Sequence, residues 1–128
     1  VHAMAHQLGG FYSLPHGECN AILLPHVEEF NLISRLDRFV AIAKMMGECT
    51  DGLSERAAAE LAISAIKTLS RDVGIPTTVR ELAARYVKAI DPRDIPEMVA
   101  HAQKDTCAAT NPRVMSMEIV SDLYKKLF

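Results

Sequence analysis

The strongest constraint on the fold of this chain is a repeat of apolar residues at intervals of three and four. Ala58, Leu61, Ala62, Ala65, Ile66, Leu69 and Val73 follow that spacing without a break. Such a pattern gathers side chains on one face of a helix and would scatter them over both faces of a strand. Its ends are marked as well. Ser54 stands where a side-chain oxygen can cap the first turn, and Gly74, followed by Ile75 and Pro76, fits a left-handed C-terminal cap.

The same period recurs along the chain. Ala3, Met4, Ala5 and Leu8 form a short helix that Gly9 and Gly10 are expected to stop. A second helix spans Glu18 to Phe30, burying Ile22, Leu23, Val27 and Phe30, with Pro25 inside it. Leu32, Leu36, Phe39, Val40, Ala43 and Met46 make a third, ending at Gly47. Thr78 and Glu81 have capping-box spacing ahead of Val79, Leu82, Ala83, Tyr86, Val87 and Ile90. Asp94 caps a helix with Pro96 in its first turn and Glu97 at the box position, running to about Asp105. Ser116 caps the last, whose stripe is Ile119, Val120, Leu123, Tyr124 and Leu127. The fold class is therefore all-α, about seven helices with short connections around one core.

A chain of 128 residues, 49% hydrophobic, is one domain's worth and large enough to bury a core. Its 14 basic and 16 acidic residues give a net charge of −2 with neither sign clustered, so no footprint for nucleic acid is present. The three cysteines, Cys19, Cys49 and Cys107, show neither a disulfide framework nor Cys-x-x-Cys spacing, which fits a reducing, cytoplasmic setting. No apolar run approaches the length of a membrane span.

Chemistry gathers in the first residues. His2 and His6 are four apart, on one helical face, and a loop from Phe11 to His16 is long enough to fold back and bring a third imidazole beside them. Neutral imidazoles ligate borderline divalent metals such as zinc and ferrous iron, and also move protons near neutral pH. The spacing does not choose between those roles, nor does it exclude plain surface or core histidines. A metalloprotease would need His-Glu-x-x-His, and Ala3, Met4 and Ala5 occupy the intervening positions. His26, just past Pro25, reads as a partly exposed helix residue before it reads as a further ligand.

The run His2-Ala3-Met4-Ala5-His6-Gln7-Leu8-Gly9-Gly10-Phe11-Tyr12, with Leu14-Pro15-His16-Gly17 and Asn20-Ala21-Ile22-Leu23-Leu24-Pro25-His26-Val27, resembles the second conserved block of the iron-containing (group III) alcohol dehydrogenases. That family includes lactaldehyde reductase. Asp72-Val73-Gly74-Ile75-Pro76, Asp94-Ile95-Pro96 and Asn111-Pro112-Arg113 resemble its later landmarks in the right order, so the resemblance covers essentially the whole chain. The segment between Pro76 and Pro96 departs from the pattern by being longer, and reads as a local surface elaboration.

The resemblance implies the metal-binding, C-terminal helical domain of a dehydroquinate synthase-like fold over residues 1–128, with the N-terminal dinucleotide-binding domain outside this chain. It implies a divalent metal, Fe2+ or Zn2+, held by one aspartate and three histidines, of which two match His2 and His16 and the other two ligands lie upstream. His6 matches a non-ligand histidine that contacts the nicotinamide of NAD or NADP or relays protons. Cys107 matches a cysteine lining the substrate pocket in some members, and otherwise reads as a small buried apolar residue; Phe11 and Tyr12 either wall the same cleft or simply pack on the core. The implied reaction interconverts small primary alcohols and aldehydes by metal-assisted hydride transfer, in a full-length enzyme expected to be a homo-oligomer. The chain alone is expected to be inactive and, with two of four ligands, to hold metal weakly. Two other readings remain at this point: a free-standing helical metal-binding or interaction module, and a glycerol dehydrogenase- or dehydroquinate synthase-like enzyme.

Overall fold

The periodicity is realised as seven helices and no strand. In the computed structural model, which describes residues 1–128, they are α1 His2–Tyr12, α2 His16–Asn31, α3 Leu36–Met45, α4 Glu55–Asp72, α5 Val79–Arg85, α6 Ile95–Lys104 and α7 Met117–Leu127. Short 3₁₀ turns lie at Leu32–Ser34, Pro92–Asp94 and Thr106–Ala108. No helix is long and apolar enough to cross a membrane.

Three of the expected caps form. The hydroxyls of Ser54, Thr78 and Ser116 accept hydrogen bonds from the amides of Ala57, Glu81 and Ile119 at 3.2, 3.1 and 3.3 Å. Gly74, at φ +78°, closes α4 in the left-handed region. Asp94 precedes α6 but makes no side-chain cap bond. Its carboxylate instead accepts the Tyr12 hydroxyl at 2.9 Å, tying the start of α6 to the end of α1. Glu81 reaches back to the Thr77 amide at 2.9 Å, so the box is closed one residue earlier than expected.

Gly9 and Gly10 do not stop α1. The helix runs through both because Leu8 and Tyr12, one turn apart, are buried on the same face, and that burial outweighs the roughly 1 kcal/mol per glycine lost in propensity. Ser13 ends the helix instead, in the left-handed region at φ 54°, its amide bonding the Gly9 carbonyl at 2.8 Å. The stripe after Thr78 is also shorter than it reads. Val79, Leu82 and Ala83 are fully buried, which makes α5 part of the core and not a surface elaboration, but the helix ends at Arg85 and Val87 is turned out to solvent at φ 53°.

The single core expected is two. The larger joins α1, α2, α5, α6 and α7 through Met4, Leu8, Leu23, Leu82, Met98 and Tyr124, among others. The smaller lies between α3 and α4, where Phe39 and Ala43 meet Ala59, Ala62 and Ile63. Small residues on α4 let α3 pack close. Leu69 and Val73, at the end of the α4 stripe, extend past that contact and remain 55% and 67% exposed.

Further polar contacts fix α1 and α2 against the rest. The buried Tyr124 hydroxyl donates to the Met4 carbonyl at 2.8 Å, anchoring α7 to the first turn of α1. Asn31, 2% exposed at the end of α2, exchanges two amide hydrogen bonds with Asn111 at 3.0 and 2.9 Å. Arg113 lies over the Phe30 ring, 4.0 Å from its centre, and donates to the Phe30 carbonyl.

Tyr124→Phe is expected to lower stability by about 0.5–1.5 kcal/mol, the net worth of one buried hydrogen bond, because the Met4 carbonyl keeps its helix partner and loses only the second donor. Gly10→Ala is expected to raise it by about 0.5–1 kcal/mol, since nothing lies within 4 Å of the new Cβ and the helix gains propensity. Urea unfolding of the two variants measures both signs.

Candidate metal centre

Side chains lean toward the N-terminus of their helix, so residues in a first turn reach beyond the helix end. His2 opens α1 and His16 opens α2, and neither lies in a loop. The reversal that brings them together takes only Ser13, Leu14 and Pro15, shorter than the six-residue loop expected. It doubles back along α1, passing the Leu14 carbonyl 3.6 Å from where a Gly9 Cβ would stand. The imidazoles then converge. Ring centres are 5.3 Å apart for His2 and His16, 5.4 Å for His6 and His16, and 6.0 Å for His2 and His6.

That spacing can be tested against a metal. With metal–nitrogen bonds of about 2.1 Å, two imidazoles on one four-coordinate ion hold their ring centres about 5 Å apart. The His2–His16 pair fits, and His6–His16 fits nearly as well, so the choice of His2 and His16 comes from the family resemblance and not from this distance. Imidazole nitrogen suits iron or zinc, and the Asn20 side-chain amide, 3.1 Å from His16 Nε2 and 2.9 Å from the His16 carbonyl, holds the ring's rotation as an outer-shell group does. Asn20 Oδ1 is buried without a partner beside this arrangement. All three histidines are exposed on the surface of the chain.

The sequence match is end to end. Residues 1–128 match the family model described as Fe-containing alcohol dehydrogenase family, C-terminal. The chain belongs to the Fe-containing alcohol dehydrogenase family. It is similar to the 1,3-propanediol dehydrogenase of Citrobacter freundii, 48% identical over 128 residues, which are all of this chain and 32% of that protein. The NAD-dependent methanol dehydrogenase of Bacillus methanolicus is 39% identical over 125 residues, 98% of this chain and 31% of that one. The crystal structure of a 1,3-propanediol oxidoreductase superposes with a TM-score of 0.91 at 46% identity, covering 99% of this chain and 32% of that chain. The chain thus spans about a third of the length of the curated relatives it matches. The helical fold is that of the C-terminal domain in Fe-containing alcohol dehydrogenase structures.

Within this family domain the remaining candidate residues are distributed unevenly. Cys107 is exposed on the 3₁₀ turn Thr106–Ala108 and shares with His2, Glu28 and Asn31 the lining of a polar cleft of about 500 Å³. A second cavity of about 540 Å³ lies behind the same turn, against Ala3 and Met4. Phe11 lines neither. Its ring packs on the large core and sits 5.9 Å from the His101 ring. His26 is half-buried on α2, where burial and then the Lys67 charge lower its pKa, surroundings that do not invite a cation.

Asp105 is the residue that periodicity missed. It reads as the end of a helix, yet its Oδ2 accepts the His6 Nδ1 proton at 2.7 Å and its Oδ1 accepts the Cys107 amide at 2.9 Å. The hydrogen bond from His6 first, and that from the Cys107 amide second, hold the carboxyl below the usual aspartate range. The partner is 99 residues away in the chain, so no local pattern marks it. Only the C-terminal position of α6 against α1 does.

A carboxyl held low contributes stability that is present above its unfolded pKa and lost as pH falls through the lowered value. In a carbon-13 titration Asp105 is therefore expected to titrate below about 3.9, the ordinary aspartate value, and His6→Ala is expected to move it upward. An unchanged Asp105 titration in that variant contradicts the pairing.

Proposed function

We propose that residues 1–128 are the C-terminal metal and substrate domain of an NAD- or NADP-linked alcohol dehydrogenase that interconverts small primary alcohols and aldehydes. The observation that carries this reading is the convergence of the His2 and His16 rings, 5.3 Å apart, in a chain that matches the family's C-terminal model from end to end. That match also favours the dehydrogenase over a free-standing helical module. In this reading His2 and His16 are two of the metal ligands, and the nucleotide-binding domain and the other ligands lie outside the chain.

A divalent ion held there supplies Lewis acidity that favours loss of an alcohol's proton. What this chain's own residues do follows from their positions. His6, with Nδ1–H committed to Asp105, leaves Nε2 as its free acceptor and can take or return a proton there. Asp105 keeps the ring in that tautomer and orientation, the part a carboxylate plays behind a working histidine. The N-terminus of α2 begins at the site, and its partial positive charge favours negative charge developing on a bound oxygen. Cys107 and the cleft beside it offer a partly polar volume that an alcohol or diol can enter. The relatives' names, 1,3-propanediol dehydrogenase and methanol dehydrogenase, favour a short one.

The test uses the enzyme with its nucleotide-binding half present. His2→Ala and His16→Ala are each expected to lower bound iron or zinc and to reduce NAD-linked oxidation of short primary alcohols by at least about 10²-fold, as loss of Lewis-acid catalysis does. Full metal content and activity in either variant rejects the assignment.

A further inference from the structure

Where His2 and His16 come within reach of one ion, a tighter set of ligating atoms stands beside them. One ligand atom each from His6, Asp105 and Cys107 lie within 4.8 Å of one another, and the closest two, His6 Nδ1 and Asp105 Oδ2, are 2.7 Å apart. We propose that His6, Asp105 and Cys107 form a second metal site, selective for zinc, distinct in its ligands from the His2–His16 pair.

The chemistry of the set is specific. One imidazole, one carboxylate and one thiolate, with water in the fourth position, is a ligand combination that zinc accepts in tetrahedral geometry. The sulfur favours zinc over harder ions such as magnesium. Donors around such an ion stand about 3.3–3.8 Å apart, so the pair at 2.7 Å must open slightly, while the thiol, within 4.8 Å of both, needs at most a small shift. Both movements are open to them, because His6 and Cys107 are exposed and no buried packing holds them. The backbone already helps. Asp105 caps the turn that carries Cys107, which keeps the carboxylate and the thiol on one short segment facing α1.

Zinc here takes the place of the proton between His6 and Asp105. That proton moves to Nε2, the thiol loses its own to solvent, and one proton leaves per ion bound from neutral imidazole and thiol. The expectation of weak metal binding counted two imidazoles; three different donors one ring away revise it for a thiophilic ion. Binding itself does not depend on the dehydrogenase reading. Its consequence does: an ion on His6 Nδ1 moves the proton onto Nε2, the nitrogen that reading assigns to proton transfer, so zinc at this site inhibits.

Cobalt(II), a coloured stand-in for zinc, separates the two sites. Added to the folded chain, it is expected to give a near-ultraviolet thiolate-to-cobalt charge-transfer band that zinc bleaches. The band is expected to persist in Cys49→Ser and in the double variant His2→Ala/His16→Ala, and to vanish in Cys107→Ser and in His6→Ala. Cys107 is exposed, so its serine variant keeps the fold, which circular dichroism checks. Absence of the band in the parent chain, its survival in Cys107→Ser, or its loss in His2→Ala/His16→Ala with the fold intact overturns the site. None of these outcomes bears on iron content or turnover of the longer enzyme, so the two readings stand or fall separately.

Discussion

The reversal at Ser13, Leu14 and Pro15 is the constraint on which the rest of the site depends. A left-handed residue ends α1, Pro15 with its fixed φ leads into α2, and the chain returns along the helix it has just left. Without that doubling back, His16 would lie a helix length from His2. With it, three imidazoles from the first sixteen residues share a volume a few ångströms across. The local geometry works only because α1 is held in place from the other end of the chain. Tyr124 bonds the carbonyl of Met4, midway between His2 and His6, and Tyr12 bonds Asp94 at the start of α6. Burial and the neighbouring Asp94 carboxylate push the Tyr12 hydroxyl up to about 12, so it remains a donor across the whole physiological range.

The site is therefore built from two layers of different character. Imidazoles placed by α1 and α2 come from a continuous stretch of sequence, while the carboxylate and thiol facing them come from the turn after α6. That turn is held by its own contacts: Asn111 against Asn31, Arg113 across Phe30, and Gln103 to the Met115 carbonyl at 2.6 Å. The Asn31–Asn111 exchange is partly buried, where an unpaired amide is costly; the Gln103 bond is exposed and adds less. The second layer thus has a defined position relative to the first, although no helix carries it.

How much of this the residues disclosed follows from the range of the forces involved. Helix positions, three N-caps and the Gly74 stop were legible because each depends on neighbours within a turn or two. The run through Gly9 and Gly10 was not, since burial of Leu8 and Tyr12 overrides a local propensity that two adjacent glycines state plainly. The early end of α5 was hidden for the opposite reason: Tyr86 and Val87 continue the period but have nothing to pack against. The histidine convergence could be read from spacing and from likeness to a known family. The His6–Asp105 pair and the Asn31–Asn111 exchange could not, because their partners are 99 and 80 residues apart and neither Asp105 nor Asn31 is unusual where it stands.

The α3–α4 pair carries a seam of its own, separate from the apolar mass beneath the imidazoles. A molecule divided in this way can tolerate drift in one part while the other stays tuned. Substitutions along Phe39, Ala43 or Ile63 change how that hairpin sits without reaching the reversal that spaces the rings. What joins the hairpin to the helix carrying His16 is the α2–α4 contact, with Lys67 of α4 reaching Glu29 of α2 across it.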